Sequence, residues 1–212
     1  RVKMNAHAVD CGIIGSGFGG SVAAMRLAEA GYRVVVLEEG LRFRDEDFAK
    51  TNWNLRRYLW APWLRCFGVQ AITPLSGLWL LHGKGVGGGS LVYANTLMQP
   101  RSAAFQSGAW PRSIDWEIEL APYFLKAKQM LGVTRNPIFG AAERELQKLG
   151  EKLGCAETFH ATDVGVYFGE RSAVDPYFGG AGPLREPCNA CGACMVGCRV
   201  GAKNTLVKNY LW

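Results

Sequence analysis

Residues 10–38 constrain this chain more than any other stretch. Gly15, Gly17 and Gly20 form Gly-x-Gly-x-x-Gly directly after a short apolar run, Cys11–Ile14. Residues 18–30 read as a helix, with Ala24, Leu27, Gly31 and Val34 at core-facing spacing, and a second apolar run over 33–37 ends on Glu38. Three glycines alone carry little weight, because glycine-rich turns arise by chance. A strand before them, a helix after them and an acid closing the second strand supply the context of a dinucleotide-binding unit. The predicted fold class is therefore α/β, with this unit opening a Rossmann-like, doubly wound parallel sheet.

Each residue type has a physical task. Gly15 permits the tight turn out of the strand, and Gly17 removes the side chain that would hold a pyrophosphate off the backbone. Gly20 lets helix and sheet approach closely. The free N–H groups and dipole at the helix start attract phosphate. Glu38 accepts hydrogen bonds from an adenosine ribose and repels a 2′-phosphate, which disfavours NADP and leaves FAD or NAD.

The chain has 212 residues, of which 49% are hydrophobic and 20% charged, the balance of a globular protein with a real core. Its net charge of +6 is scattered: Arg42, Arg44, Arg56, Arg57 and Arg65 sit among aromatics without a compact basic run. That argues for a solvated surface and against nucleic acid as a partner. No apolar run approaches the roughly 20 residues of a spanning helix; residues 75–81 are interrupted by Gly77. No signal peptide is visible and the cysteines look free, so a reducing, cytoplasmic setting is expected. The chain opens on Arg1 rather than Met, although Met4 could be a start, and it stops at Trp212 in an apparently regular segment. It reads as a piece of a longer protein.

A second glycine cluster, Gly83-Lys84-Gly85-Val86-Gly87-Gly88-Gly89-Ser90, lies between apolar runs at 78–81 and 91–93. Three successive glycines are entropically unfavourable, so close backbone approach to a ligand or strand is expected there. Trp53, Tyr58, Trp60, Trp63, Phe67 and Trp79 crowd the preceding region, and ordinary packing is expected of them. Helices are predicted over 115–131, with Pro122 breaking the first early, and over 141–153; the Gly- and Pro-rich stretch 175–187 reads as loop. His7, His82 and His160 are dispersed, and none has an acid or serine at triad spacing.

Cys188, Cys191, Cys194 and Cys198 make C-x2-C-x2-C-x3-C, the spacing that holds iron–sulfur clusters in bacterial ferredoxins. Arg199 replaces the usual following proline, no second run is present, and Cys11, Cys66 and Cys155 stand alone. A [4Fe–4S] cluster, a zinc site and plain thiols all remain open.

Together, the unit from Gly15 to Glu38, the cluster at 83–90 and Gly-Ala-Lys-Asn-Thr-Leu at 201–206 resemble the amino-terminal part of the glucose–methanol–choline (GMC) oxidoreductases, most of all their bacterial cholesterol-oxidase-like branch. The resemblance covers nearly the whole chain and selects FAD. It implies that Gly15, Gly17 and Gly20 hold the pyrophosphate, that Glu38 holds the ribose, and that Gly87, Gly88, Gly89 and Ser90 lie near pyrophosphate and flavin. Many members carry Asn where this chain has Tyr93, so a flavin contact there is not carried over. The family's catalytic histidine lies near the carboxyl terminus, and no histidine here matches it. The implied activity is hydride transfer from the CH–OH group of a sterol or similar hydrophobic alcohol to FAD, with oxygen or another acceptor reoxidising the flavin. An FAD/iron–sulfur dehydrogenase is the alternative, and a non-catalytic, nucleotide-binding fragment is the alternative from another class. The implied division is an FAD-binding part over 1–125, the start of an α+β substrate domain over 126–186, and a cysteine-rich return over 187–212.

Overall fold

The computed structural model describes residues 9–212. β1 (Cys11–Ile14) and β2 (Val34–Leu37) pair in parallel, Cys11 opposite Val34 and Ile14 opposite Leu37. The crossover between them is α1 (Phe18–Glu29). Ala, Met, Leu and Arg favour the helix intrinsically, and it turns the small side chains Ser21 and Ala24 inward. Its end is a Schellman motif: Gly31, at φ 89°, donates to Ala28 O, and Tyr32 N–H donates to Leu27 O at 3.1 Å. Asp10 and Arg33 form a bidentate pair that clamps the strand entrances. The Arg33 guanidinium and N–H hold the Asp10 carboxyl down at about 2.

This is a Rossmann-like opening with an incomplete sheet: among the described residues, β1 and β2 pair only with each other. Ile14 and Leu37 stay exposed, since nothing among those residues covers them.

The chain continues through α2 (Leu55–Tyr58), β3 (Trp60–Ala61) and β4 (Cys66–Phe67) into a hairpin. Its strands are β5 (Gln70–Leu75) and β6 (Leu78–Gly83), antiparallel, with Gly77 at φ 80° in the turn. Here the expectation of packed aromatics is corrected. Trp53, Trp63, Phe67 and Trp79 are exposed, as are Leu78, Leu80 and Leu81 along β6. A two-stranded ribbon has two faces, and nothing among the described residues covers most of either.

α3 (Ser102–Phe105) and α4 (Trp116–Met130) follow. The Asp115 side chain caps α4 by accepting from Ile118 N–H at 3.2 Å. Contrary to the sequence expectation, Pro122 does not end this helix, which runs on for two more turns. The carbonyl of Ile118, which a proline cannot serve, belongs to an exposed residue, where solvent can reach it. α4 also runs across position 125, where the sequence placed a domain boundary.

β7 (Thr134–Arg135), α5 (Ala141–Lys152) and β8 (Asp163–Val164) come next, with β7 and β8 paired. The stretch 175–187 is more ordered than expected. It is closed by a small hairpin of β9 (Ala173–Val174) and β10 (Leu184–Arg185), and the Asp175 carboxylate accepts from the N–H groups of Tyr177, Phe178 and Gly182. Two small apolar cores result: Phe48, Val69, Leu91 and Val92 form one, and Val164, Val166 and Ala202 the other. No helix among the described residues is long and apolar enough to cross a membrane.

The closest constraint on the first crossover is Gly20, where an added Cβ would stand 2.0 Å from Gly15 O. Gly20→Ala is therefore expected to cost about 1–3 kcal/mol by overpacking, read as a lower denaturation midpoint. Gly19→Ala, whose Cβ meets nothing within 4 Å, is the control and should leave the midpoint unchanged or raise it. Equal midpoints for the two variants would contradict the close packing.

Candidate nucleotide-binding site

The two glycine motifs, more than 60 residues apart in sequence, form one cradle. A Cβ on Gly88 would stand 2.7 Å from Gly17 Cα, and one on Gly40 2.3 Å from Gly85 N. Gly88 lies at φ 51° and Gly87 at φ 104°, conformations that glycine adopts without strain. Three segments thus meet main chain to main chain: the turn after β1, the residues after β2, and the 3-10 turn Gly88–Leu91.

Ser16 ties them together. Its hydroxyl donates to Glu38 Oε2 at 2.7 Å and accepts from Gly87 N–H at 3.0 Å. Ser16 N–H also donates to Glu38 Oε2, and Gly40 N–H to Glu38 Oε1. Partial burial pushes the Glu38 carboxyl up, but hydrogen bonds from Gly40, Ser16 and Glu39 outweigh it and hold the group below its ordinary value. Glu38 is therefore an oriented carboxylate with acceptor capacity left on Oε1.

The ligand-facing side is bare. Gly17 is the N-cap of α1 without a side-chain cap, and a Cβ there would meet nothing within 4 Å. The first-turn N–H groups of a helix have no partner inside the helix, and here no acid competes for them. Naked amides, a helix dipole and open space fit a diphosphate. Behind the cradle, Ser90 is fully buried; its hydroxyl proton goes to Gly87 O and it accepts Leu206 N–H at 3.0 Å. Its side chain shapes the loop and does not supply a free donor. Near Leu206, Thr205 Oγ1 and Asn209 Nδ2 are buried without hydrogen-bond partners among the described residues.

Tyr93 closes one wall. Its hydroxyl donates to Asn204 O at 2.9 Å, its ring meets Phe18 edge-on, and the Lys203 ammonium lies 4.4 Å from its centroid. Burial pushes its phenol up, so it stays protonated. Lys203 is fully buried and donates to three carbonyls: Leu91 O at 3.0 Å, Tyr93 O at 2.8 Å and Cys194 O at 2.8 Å. Burial lowers its ammonium to about 8, against an upward pull from Cys194 and Cys198.

The four cysteines of the run line one small, largely apolar cavity together with Lys203. Among the described residues no three His, Cys, Asp or Glu side chains converge tightly enough for a single metal ion. Cys11, Cys66 and Cys155 lie elsewhere, and all seven cysteines are unbridged. His82 Nε2 pairs with Thr73 Oγ1 in the β5–β6 hairpin and His160 Nδ1 with Thr158 O, while His7 lies outside the described residues. A hollow of about 430 Å³ beside α4, lined by Phe105, Trp110 and Trp116, shares no residue with the cradle.

The sequence is similar to those of known proteins. A family model described as an NAD(P)-binding Rossmann-like domain matches residues 13–44. A cholesterol oxidase of Mycobacterium tuberculosis is 55% identical over 94% of this chain and 36% of its own length. One from Acinetobacter baumannii is 47% identical over 100% of this chain and 39% of its own. An uncharacterized GMC-type oxidoreductase of M. tuberculosis is 29% identical over 92% of the chain and 28% of its own length. The chain is thus similar along nearly its whole length to cholesterol oxidases, and more distantly to a GMC-type oxidoreductase. It spans a little over a third of the length of the cholesterol oxidases it matches.

Within this chain, sequence reasoning missed the residues that join the motifs. Ser16 occupies an unspecified position of the glycine fingerprint, and Lys203 lies in a segment noted only for its resemblance. A lysine and an asparagine inside an otherwise small and apolar run, Gly201 to Leu206, were the available signal. Lys203→Met should cost about 3 kcal/mol, because three buried carbonyls lose their donor. Denaturant midpoints of the protein and the variant test this; equal midpoints would refute the bracing role.

Proposed function

We propose that this chain is the FAD-binding part of a flavin-dependent alcohol oxidoreductase that oxidises the CH–OH group of a sterol or a similar hydrophobic alcohol. The observation that supports the cofactor is the contact of two glycine loops, Gly17 on Gly88, beside an oriented Glu38. Gly15 and Gly20 set the turn and the helix approach, Gly17 and the first-turn N–H groups take the diphosphate, and Glu38 takes the ribose hydroxyls. Gly87, Gly88 and Gly89 keep side chains out of the space toward the flavin ring, and Ser90 braces them. The bound FAD would supply the hydride acceptor. Lys203 and Tyr93 stiffen the floor, and the paired hydroxyl of Tyr93 leaves no proton-transfer role for it there. The sterol rests on the names of the relatives, and oxygen as acceptor rests on the same ground. The division into an FAD-binding part (1–125), the start of a substrate domain (126–186) and a cysteine-rich return (187–212) is part of this reading, with α4 bridging the first two.

Recovery of FAD from the purified full-length protein, together with sterol-dependent oxygen uptake, tests the reading. FAD without oxygen uptake but with reduction of an artificial electron acceptor would favour a dehydrogenase; no adenine nucleotide at all would overturn the cofactor assignment. Gly17→Asn sharpens the test. Its Cβ enters open space and its side chain suits an N-cap, so the midpoint should change by less than about 1 kcal/mol. The amide oxygen occupies the donors a diphosphate needs, so flavin affinity should fall by about tenfold or more, roughly 1.4 kcal/mol. The 212-residue chain alone is expected to show no sterol turnover, because His82 Nε2 is paired with Thr73 Oγ1 and His160 Nδ1 with Thr158 O; a measurable steady-state rate would contradict this.

A further inference from the structure

The cysteine run is unused by the reading above, and its surroundings are those of a ligand site. Ala190 (φ 57°), Gly192 (φ 70°) and Gly197 (φ 114°) curl the loop so that Cys188, Cys191, Cys194 and Cys198 face one cavity. Gly197 is pressed against the Phe48 ring, where a Cβ would stand 2.2 Å from Phe48 Cδ1, and Cys188 and Cys198 rest on the core of Val164, Val166 and Ala202. The loop is thus seated on packed structure.

We propose that Cys188, Cys191, Cys194 and Cys198 are the four thiolate ligands of a [4Fe–4S] cluster held in this cavity.

The absence, among the described residues, of a group converging on one point separates this from a zinc site. Four thiolates on one zinc lie about 2.3 Å from it, so their sulfurs crowd together, and no such convergence exists among the described residues. In a cubane each thiolate binds its own iron at a different corner, so the ligands ring a cavity without touching. Two sulfurs already receive hydrogen bonds of the kind that stabilise cluster thiolates: Asn95 Nδ2–H donates to Cys194 Sγ at 2.9 Å and Ala190 N–H to Cys188 Sγ at 3.4 Å.

Charge gives an independent argument. Lys203 lines the same cavity, is fully buried, and forms no ion pair among the described residues; its three bonds are all to neutral carbonyls. A buried cation without a counter-charge is costly. A cluster with four thiolates carries net negative charge and supplies that counter-charge. The same lysine bonds Leu91 O and Tyr93 O, so the site is braced against the end of the second glycine loop.

The test is made on the full-length protein purified without oxygen. Iron and acid-labile sulfide are measured, with the electron paramagnetic resonance spectrum after dithionite reduction. About four irons and about four sulfides per chain, with a reduced-cluster signal, are expected. Cys191→Ala and Cys194→Ser should each lose most of the iron and sulfide, while Cys155→Ser, outside the run, should keep both. Stoichiometric zinc without iron, or four metal-free thiols or disulfides by mass spectrometry, would overturn the proposal. Flavin content is read separately, so a missing cluster and a missing FAD give different results.

Discussion

One hydroxyl joins the parts of the nucleotide cradle. Ser16 faces Glu38 with its proton and the Gly87 N–H with its lone pair, and so fixes the turn after β1 against the end of β2 and the second glycine loop. The contacts leave no room for a side chain on Gly88 or Gly40, whose added Cβ would stand 2.7 Å from Gly17 Cα and 2.3 Å from Gly85 N. Glycine is required at such points less for its own flexibility than for what must lie against it. The anion site is then what remains open once these backbones have met.

A different solution holds the second half of the chain. Its apolar core is small, and two buried cations take over part of the bracing. Arg185 donates to Asn204 Oδ1 at 2.9 Å, Pro183 O at 2.9 Å and Lys208 O at 2.7 Å, and Lys203 does the same for three other carbonyls. Main-chain carbonyls that no sheet ladder reaches are satisfied by these long side chains. Burial lowers the Arg185 guanidinium, yet it remains charged and hydrogen-bonded throughout. The arrangement links segments far apart in sequence without a large hydrophobic interior.

The first crossover was legible in the sequence because its determinants are local. β1, α1 and β2 follow from apolar runs, three glycines and a Schellman glycine, and the expected bounds differ from the observed ones by a residue at most. The second glycine cluster was legible as a site of close approach, but its partner was not, since nothing in the spacing says that Gly88 meets Gly17. Ser16 and Lys203 escaped notice because their roles exist only once distant segments come together. The aromatic region failed for the same reason in reverse: Trp53, Trp63 and Trp79 suit packing by type, and whether a face is covered depends on other chain segments. Pro122 misled because a local rule about helix breaking ignores where the freed carbonyl points.

The bond from Leu206 N–H to the Ser90 hydroxyl spans 116 residues. Contacts of such long range form late, because the intervening chain must be ordered first. During synthesis the amino-terminal crossover can assemble as soon as it leaves the ribosome, yet the floor beneath the second loop stays unfinished until residue 206 has emerged. In the reading proposed above, the diphosphate site is therefore complete only once this whole stretch has been made.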